Sequence, residues 1–126
     1  MRPAGERLGE PIGSLFRAVG LNEAVDLKGF GGFRPHPSGL SLEDKWFAAS
    51  LADAVAFGRL MQRNLPDPRP FIVAVIELPA ITLSSFYHHP RLDGIGPAYL
   101  VRMDQLPDLN ARSRITIGEW VYEVET

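Results

Sequence analysis

The sequence contains no cysteine, which excludes disulfide scaffolds, zinc fingers, iron–sulfur sites and cysteine nucleophiles. Lysine is nearly absent too, since only Lys28 and Lys45 stand among thirteen basic residues and the others are arginine. The planar guanidinium suits phosphate and carboxylate recognition, although a coding bias towards arginine explains the same composition. A net charge of −2 and a pI near 5.9 give no overall attraction to nucleic acid or to an anionic membrane.

Long apolar stretches are also missing. The longest, from Phe71 to Ile76, is far too short to span a bilayer, and the N-terminus lacks the apolar stretch of a signal peptide. We therefore expect a cytoplasmic site of action and no membrane partner. A length of 126 residues favours one domain. Residues 1–12 mix proline, glycine and charges without periodicity, which predicts a flexible lead-in and a single domain over 13–126.

The pattern of the remaining chain predicts short strands around modest helices. Strands are expected over 14–19, 45–49, 71–78 and 98–103 and from 115 onward, with helices over 23–27 and 51–65 and one helical turn over 104–109. The last strand changes phase at Gly118-Glu119, which predicts a bulge. Because these elements show no regular βαβ alternation, we expect an α+β fold dominated by antiparallel sheet.

Two polar residues stand out among apolar neighbours. Arg17 lies inside a short apolar strand, where a guanidinium is costly to bury unless it forms an internal ion pair or holds an anion. Ser50, with Asp53 three residues on, predicts a helix N-cap, at a position where amides and the helix dipole also favour an anion. The aromatic residues Phe33, Trp46 and Phe47 are typical of a core, and two of them beside a cleft would equally form a platform for a flat ring.

Two other patterns give weaker evidence for a functional site. The glycines over 29–33 follow a helix and are too closely spaced for a dinucleotide fingerprint, so they predict a helix-terminating turn. His36, His88 and His89 with Asp93 have the atom types of metal ligands, but adjacent histidines point in different directions in an extended segment. We expect no metal site, and a metal-dependent hydrolase using His88, His89 and Asp93 is kept as a minor alternative.

The order and spacing of several short motifs resemble a known family. The motifs are Leu15-Phe16-Arg17-Ala18-Val19, a short helix from Asn22-Glu23, Gly32-Phe33-Arg34, Lys45-Trp46-Phe47-Ala48-Ala49-Ser50 and Asp53-Ala54, followed by a strand over 71–79, the turn Asp93-Gly94-Ile95-Gly96-Pro97-Ala98 and Asp104-Gln105-Leu106-Pro107. In this order they resemble the ADP-ribosyltransferase-like domains at the C-termini of bacterial polymorphic toxins. The resemblance covers residues 14–117.

This resemblance implies a compact split β-sandwich of mostly antiparallel strands with two or three short helices and NAD as the substrate in a cleft. It implies cleavage of the nicotinamide–ribose bond, with ADP-ribose passed to an unknown macromolecular or small-molecule acceptor, or to water by an NAD glycohydrolase. Arg17 matches the basic residue that holds NAD phosphate or ribose. Phe47 and Ser50 match the motif that walls the nicotinamide pocket, with Phe33 and Trp46 as further cofactor-binding candidates.

The sequence departs from the family at the acidic residue expected near the start of a late strand. Asp93 and Glu119 are the two catalytic candidates, and Asp93 is favoured because Gly94 and Gly96 leave room for a ribose. Without that acid, the alternative is a non-catalytic module that binds NAD, ADP-ribose or another protein. A toxin of this type also implies a cognate immunity protein and delivery into a target cell by a secretion system.

Overall fold

The computed structural model describes residues 11–34 and 44–125, which form one six-stranded antiparallel sheet with helices on both faces. The elements in chain order are β1 Ile12–Gly20, α1 Leu21–Phe30, β2 Lys45–Ala48, α2 Leu51–Asn64, β3 Phe71–Pro79, α3 Ala80–Leu83, β4 Tyr87–Leu92, β5 Gly96–Val101, a 3-10 turn Met103–Gln105, α4 Leu106–Arg112 and β6 Arg114–Ile117. The α+β class, the antiparallel sheet and the short helices are confirmed. The described residues contain four α-helices, against the two or three expected.

The strand order β4-β5-β2-β1-β3-β6 places β1 and β2 at the middle of the sheet. β1 pairs with β3 over its whole length, from Ile12 opposite Pro79 to Gly20 opposite Phe71. By contrast, β1 pairs with β2 only through Phe16 and Ala48. The sheet therefore consists of two halves that meet at a single residue pair.

Side chains alternate between the two faces of the central strands, and each face has its own core. Leu15, Val19 and Phe47 point to the face covered by α1 and α4, where they are fully buried or nearly so. Phe16 and Ala18 point to the opposite face and pack with residues of α2. This alternation is what a strand buried on both sides requires.

The buried face of α2 differs from the prediction. The apolar repeat predicts a buried face made of Leu51, Ala52, Val55, Ala56, Leu60 and Met61. Of these, Leu51, Ala52 and Met61 are exposed, and the fully buried residues of α2 are instead Ala54, Gly58 and Gln62. A Cβ on Gly58 would collide with the ring of Phe71, so the small residues allow α2 to lie close to the sheet. The face of α2 that packs on the sheet is therefore the one whose small residues allow a close approach, and not the most hydrophobic one.

The helix ends follow the sequence in part. Ser50 caps α2, because its hydroxyl oxygen accepts a hydrogen bond from the Asp53 amide at 3.1 Å. Gly31 ends α1 with a positive φ of 83°, as expected for a helix-terminating glycine. The sequence predicts Asn22 as the cap of a helix that starts at Glu23, which is wrong: α1 begins two residues earlier, at Leu21, and its N-cap is Gly20, which has no side chain to form a cap bond.

The structure differs from the prediction in two strand regions. β4 was not expected from its sequence and forms an edge strand paired with β5. The last strand is shorter than predicted, because β6 ends at Ile117 and the chain pairs again with β3 only through an isolated bridge between Phe71 and Tyr122. Between the pairs Ala74–Ile117 and Phe71–Tyr122, β3 advances three residues while the partner segment advances five. Of the predicted lead-in, residues 1–10 lie outside the described residues, and Ile12 already belongs to β1.

Candidate functional site

The gap between β1 and β2 is bridged by the side chain of Arg17. Beyond the Phe16–Ala48 pair the two strands separate, and Arg17 Nη1 donates to the main-chain oxygen of Trp46 at 2.9 Å. The guanidinium carbon lies 5.7 Å from the centre of the Phe47 ring, within cation–π range. A side chain thus links the two half-sheets where main-chain pairing has stopped.

A three-charge cluster surrounds this guanidinium. Arg17 donates to both carboxylate oxygens of Glu23 on α1, from Nε at 2.9 Å and from Nη2 at 3.2 Å. Lys45 Nζ lies 3.5 Å from Glu23 Oε2, and its side chain is only 5% exposed. The internal ion pair considered for Arg17 is therefore present.

The two cations set the ionisation of Glu23. Burial by itself raises the pKa of the Glu23 carboxyl, but the charges and hydrogen bonds of Arg17 and Lys45 outweigh burial, so the pKa lies below its ordinary value. Glu23 is consequently an anion at neutral pH.

A pocket of about 200 Å³ opens at the same gap, on the side of the sheet covered by α2. It is lined by Phe16, Arg17 and Ala18 of β1, Trp46, Phe47 and Ala48 of β2, Ala54, Phe57, Leu60 and Met61 of α2, and Leu92 and Asp93 at the end of β4. The lining includes neighbouring residues of β1 and β2 whose side chains alternate between the two faces of the sheet. Its walls are mainly apolar, and its charged groups are Arg17 and Asp93.

Aromatic rings come to the pocket from different elements. Trp46 reaches it from β2 and Phe57 from α2, which covers that face of the sheet. Phe47 is fully buried and its position is supported from behind by Phe33, whose ring makes an edge contact with it at 5.1 Å between centroids. An apolar slot bounded by aromatic rings is suited to a flat heterocycle.

Asp93 lies in the turn between β4 and β5. Its φ of 53° is in the left-handed region, which aspartate tolerates better than most residues, and its side chain is exposed. On the other side of this turn, Gly96 lies directly against the Asp53 carboxylate of α2, where a Cβ would collide with it. Glycine at 96 thus lets the turn pack closely on the first turn of α2.

Four of the seven predicted site residues line this one pocket: Arg17, Trp46, Phe47 and Asp93. The other three lie elsewhere. Phe33 is a core residue behind Phe47, and the Ser50 hydroxyl is engaged in capping α2. Glu119 follows β6 at an exposed position and does not line the pocket.

The histidines are separated by the sheet. The His88 ring packs with Tyr99, whereas the next residue, His89, contacts Trp46 from the opposite face. His36 lies outside the described residues. Across residues 11–34 and 44–125, no group of three or more histidine or acidic side chains is arranged to hold a metal ion.

Sequence reasoning missed two residues of this region. From the sequence, Glu23 is only an acidic residue near a helix start, although the need of Arg17 for a partner points to a carboxylate nearby. Phe57 does not belong to the apolar set predicted for α2, yet with Ala54 and Met61 it follows the helical spacing that brings one face to the pocket.

Comparison of the chain with protein-family models, with curated proteins and with solved structures finds no match. The fold and the site are those of an α+β domain with an aromatic, arginine-bearing pocket between the two halves of its sheet. No helix in the described part of the chain has both the length and the apolar character needed to cross a membrane.

Proposed function

We propose that this domain binds NAD in the pocket between β1 and β2 and cleaves the nicotinamide–ribose bond, as an ADP-ribosyltransferase or an NAD glycohydrolase. The observation that carries the proposal is the convergence of Arg17, Trp46, Phe47 and Asp93. They come from three separate segments, were selected from sequence, and line one pocket. The α+β class and the antiparallel sheet also agree with the expectation for such a domain, although the sheet is a single one of six strands and not two sheets packed face to face.

The pocket suits one end of the dinucleotide. Sites for drug-sized ligands usually enclose about 300–1,000 Å³. A volume of about 200 Å³ therefore favours a single ring system with its sugar. Trp46 and Phe57 offer aromatic surfaces for the nicotinamide ring, which leaves the rest of the molecule outside the slot.

Arg17 is the residue that binds the phosphates of NAD in this proposal. Its contacts to Glu23 and to Trp46 use three of its N–H groups. A guanidinium has five, so one N–H remains on each terminal nitrogen. Two donors on neighbouring nitrogens are suited to an oxyanion, and a charged hydrogen bond of this kind is worth about 1.5–3 kcal/mol.

Asp93 supplies the electrostatic part of catalysis. When the C–N glycosidic bond breaks, its electron pair leaves with nicotinamide, and C1 of the ribose develops positive charge that a carboxylate stabilises. Water or an acceptor then adds its oxygen or nitrogen to that carbon and loses a proton to solvent. The exposed position of Asp93 leaves space for an acceptor.

The test is incubation of the purified protein with NAD, with free nicotinamide measured against the Asp93→Asn variant. We expect release by the wild-type chain and strongly reduced release by the variant. Absence of release from the wild-type chain, with cell extract present to provide acceptors, contradicts the enzymatic proposal.

A non-catalytic module is the second candidate, favoured by the exposure of both acidic candidates, Asp93 and Glu119. Calorimetry separates the two candidates: binding of NAD or ADP-ribose without turnover supports the module, and absence of binding leaves a role in protein interaction. A toxin role in a target cell, with delivery by a secretion system and an immunity protein, belongs to the enzymatic proposal and is tested by growth arrest on expression.

A further inference from the structure

Glu23 is the residue that determines how Arg17 presents its guanidinium. It occupies the Nε and Nη2 edge of the guanidinium with both carboxylate oxygens, which is the two-point geometry of a strong arginine–carboxylate pair. The Trp46 oxygen holds Nη1. Three bonds from two different elements fix the plane of the group, whose side chain is only 18% exposed.

We infer that Glu23 is a positioning residue for ligand binding: it orients Arg17 so that the remaining N–H groups on Nη1 and Nη2 receive a phosphate or diphosphate group. This inference rests on the proposed function and extends it to a residue that does not line the pocket. Without Glu23, the Arg17 side chain would lose two of its three fixed contacts and would bind an oxyanion only after being ordered by it.

The charges of the cluster agree with this role. Arg17 and Lys45 both lie within ion-pair distance of Glu23, and Lys45 is almost fully buried. Glu23 is the anion of the cluster, so it is expected to contribute the orientation of Arg17, while attraction for an oxyanion comes from the guanidinium.

Another ion pair from the same helix provides a matched control. Asp26, one turn along α1, binds Arg34 through a similar two-point contact, with Nε at 3.0 Å from Oδ2. Neither residue lines the pocket. Replacing Asp26 by asparagine therefore changes the same kind of interaction on the same helix without touching Arg17.

The experiment measures the affinity of Glu23→Gln and Asp26→Asn for ADP-ribose, which carries the diphosphate, and for nicotinamide, which does not. We expect Glu23→Gln to weaken ADP-ribose binding about tenfold and nicotinamide binding less than about twofold. Asp26→Asn is expected to change neither by more than about twofold. In an Arg17→Ala background, Glu23→Gln should have no further effect on ADP-ribose.

Each alternative outcome is distinct. Equal weakening of both ligands by Glu23→Gln, or an unchanged ADP-ribose affinity, overturns the positioning role while leaving the proposed function intact. Failure of the wild-type chain to bind ADP-ribose overturns the proposed function, and the inference with it. If Glu23→Gln does not fold, Glu23→Asp replaces it: the shorter side chain keeps the charge but cannot reach both nitrogens, so the same selective loss for ADP-ribose is expected.

Discussion

β1 is joined to its two neighbouring strands in very different ways. Towards β3 it forms an unbroken ladder from Ile12 to Gly20, and the buried residues on that side are aliphatic or aromatic. Towards β2 it forms one pair and then a gap, across which a charged side chain makes the connection. β1 is thus continuously paired with β3 on one side and leaves an opening for a ligand on the other.

This difference shows how a small domain can carry a site without weakening its core. Main-chain groups freed from pairing must find other partners, and at the gap the Trp46 oxygen finds one in Arg17. The binding residues are therefore also the residues that close the fold at this point. We expect changes on the β3 side to affect stability alone and changes at the gap to affect ligand binding.

The largest effect is expected from Leu15→Ala. Leu15 is fully buried and lies opposite Ile76 in the continuous ladder. Removing its side chain leaves a cavity that costs about 2–5 kcal/mol. Urea denaturation measures the loss, and NAD affinity of the folded fraction should stay unchanged. A large loss of affinity in a folded variant would contradict the division between the two sides of β1.

The next effect concerns turnover. Asp93→Asn should lower nicotinamide release by about two to three orders of magnitude with little change in NAD affinity, because the carboxylate acts on charge that develops in the transition state. Asparagine also tolerates a left-handed backbone, so the turn should keep its shape. Glu119→Gln is the control; if that variant abolishes release and Asp93→Asn does not, the assignment is wrong.

Arg17→Ala should weaken NAD binding at least tenfold, corresponding to about 1.5–3 kcal/mol. Arg17→Lys should restore little of this affinity, since an ammonium cannot reproduce the two-point geometry of the guanidinium. Calorimetry measures the binding, and thermal unfolding is followed in parallel. A lowered melting temperature with unchanged affinity would show that Arg17 serves only the internal ion pair.

Ser50→Ala sharpens the comparison by testing a residue next to the gap that does not line the pocket. Loss of its bond to the Asp53 amide should cost about 1 kcal/mol of folding free energy. Nicotinamide release by the folded variant should stay at the wild-type rate. A selective loss of release would restore Ser50 to the binding site.

The smallest effect is the dependence of stability on pH through Glu23. Its pKa is lower in the folded chain than its ordinary value of 4.5, so its ion pairs stabilise the fold above that value and are lost as pH falls through the folded pKa. The stability difference between wild type and Glu23→Gln, measured by urea denaturation, should shrink as pH is lowered from 7 towards 3. A constant difference would mean that the charge of Glu23 does not stabilise the fold.

Much of the sheet could be predicted because its inner strands carry strong patterns. The continuous apolar stretch of β3 and the serine cap of α2 are local properties, and both are confirmed. β4 was missed because Tyr87-His88-His89-Pro90 has no β-branched residue and includes proline, so pairing with β5 decides its structure.

The site could be predicted in part, from one residue that conflicts with its surroundings and from the resemblance. Arg17 stands out because a guanidinium is costly in an apolar strand, whereas Asp93 was selected because the resemblance calls for an acid near a late strand, and both line the pocket. Phe33 and Phe57 show the limit of this approach. Aromatic type alone does not tell which ring supports the wall from behind and which faces the pocket, because that depends on how α2 packs against the sheet.

The position of β1 in the sheet also has a consequence for synthesis of the chain on the ribosome. β1 ends at Gly20 and its main partner β3 begins at Phe71, so fifty residues separate them. At about 5–20 residues per second, those residues take roughly 3–10 s to be made. During that time β2 emerges but offers β1 a single pair, so the central strand stays without its ladder until most of the domain has been translated.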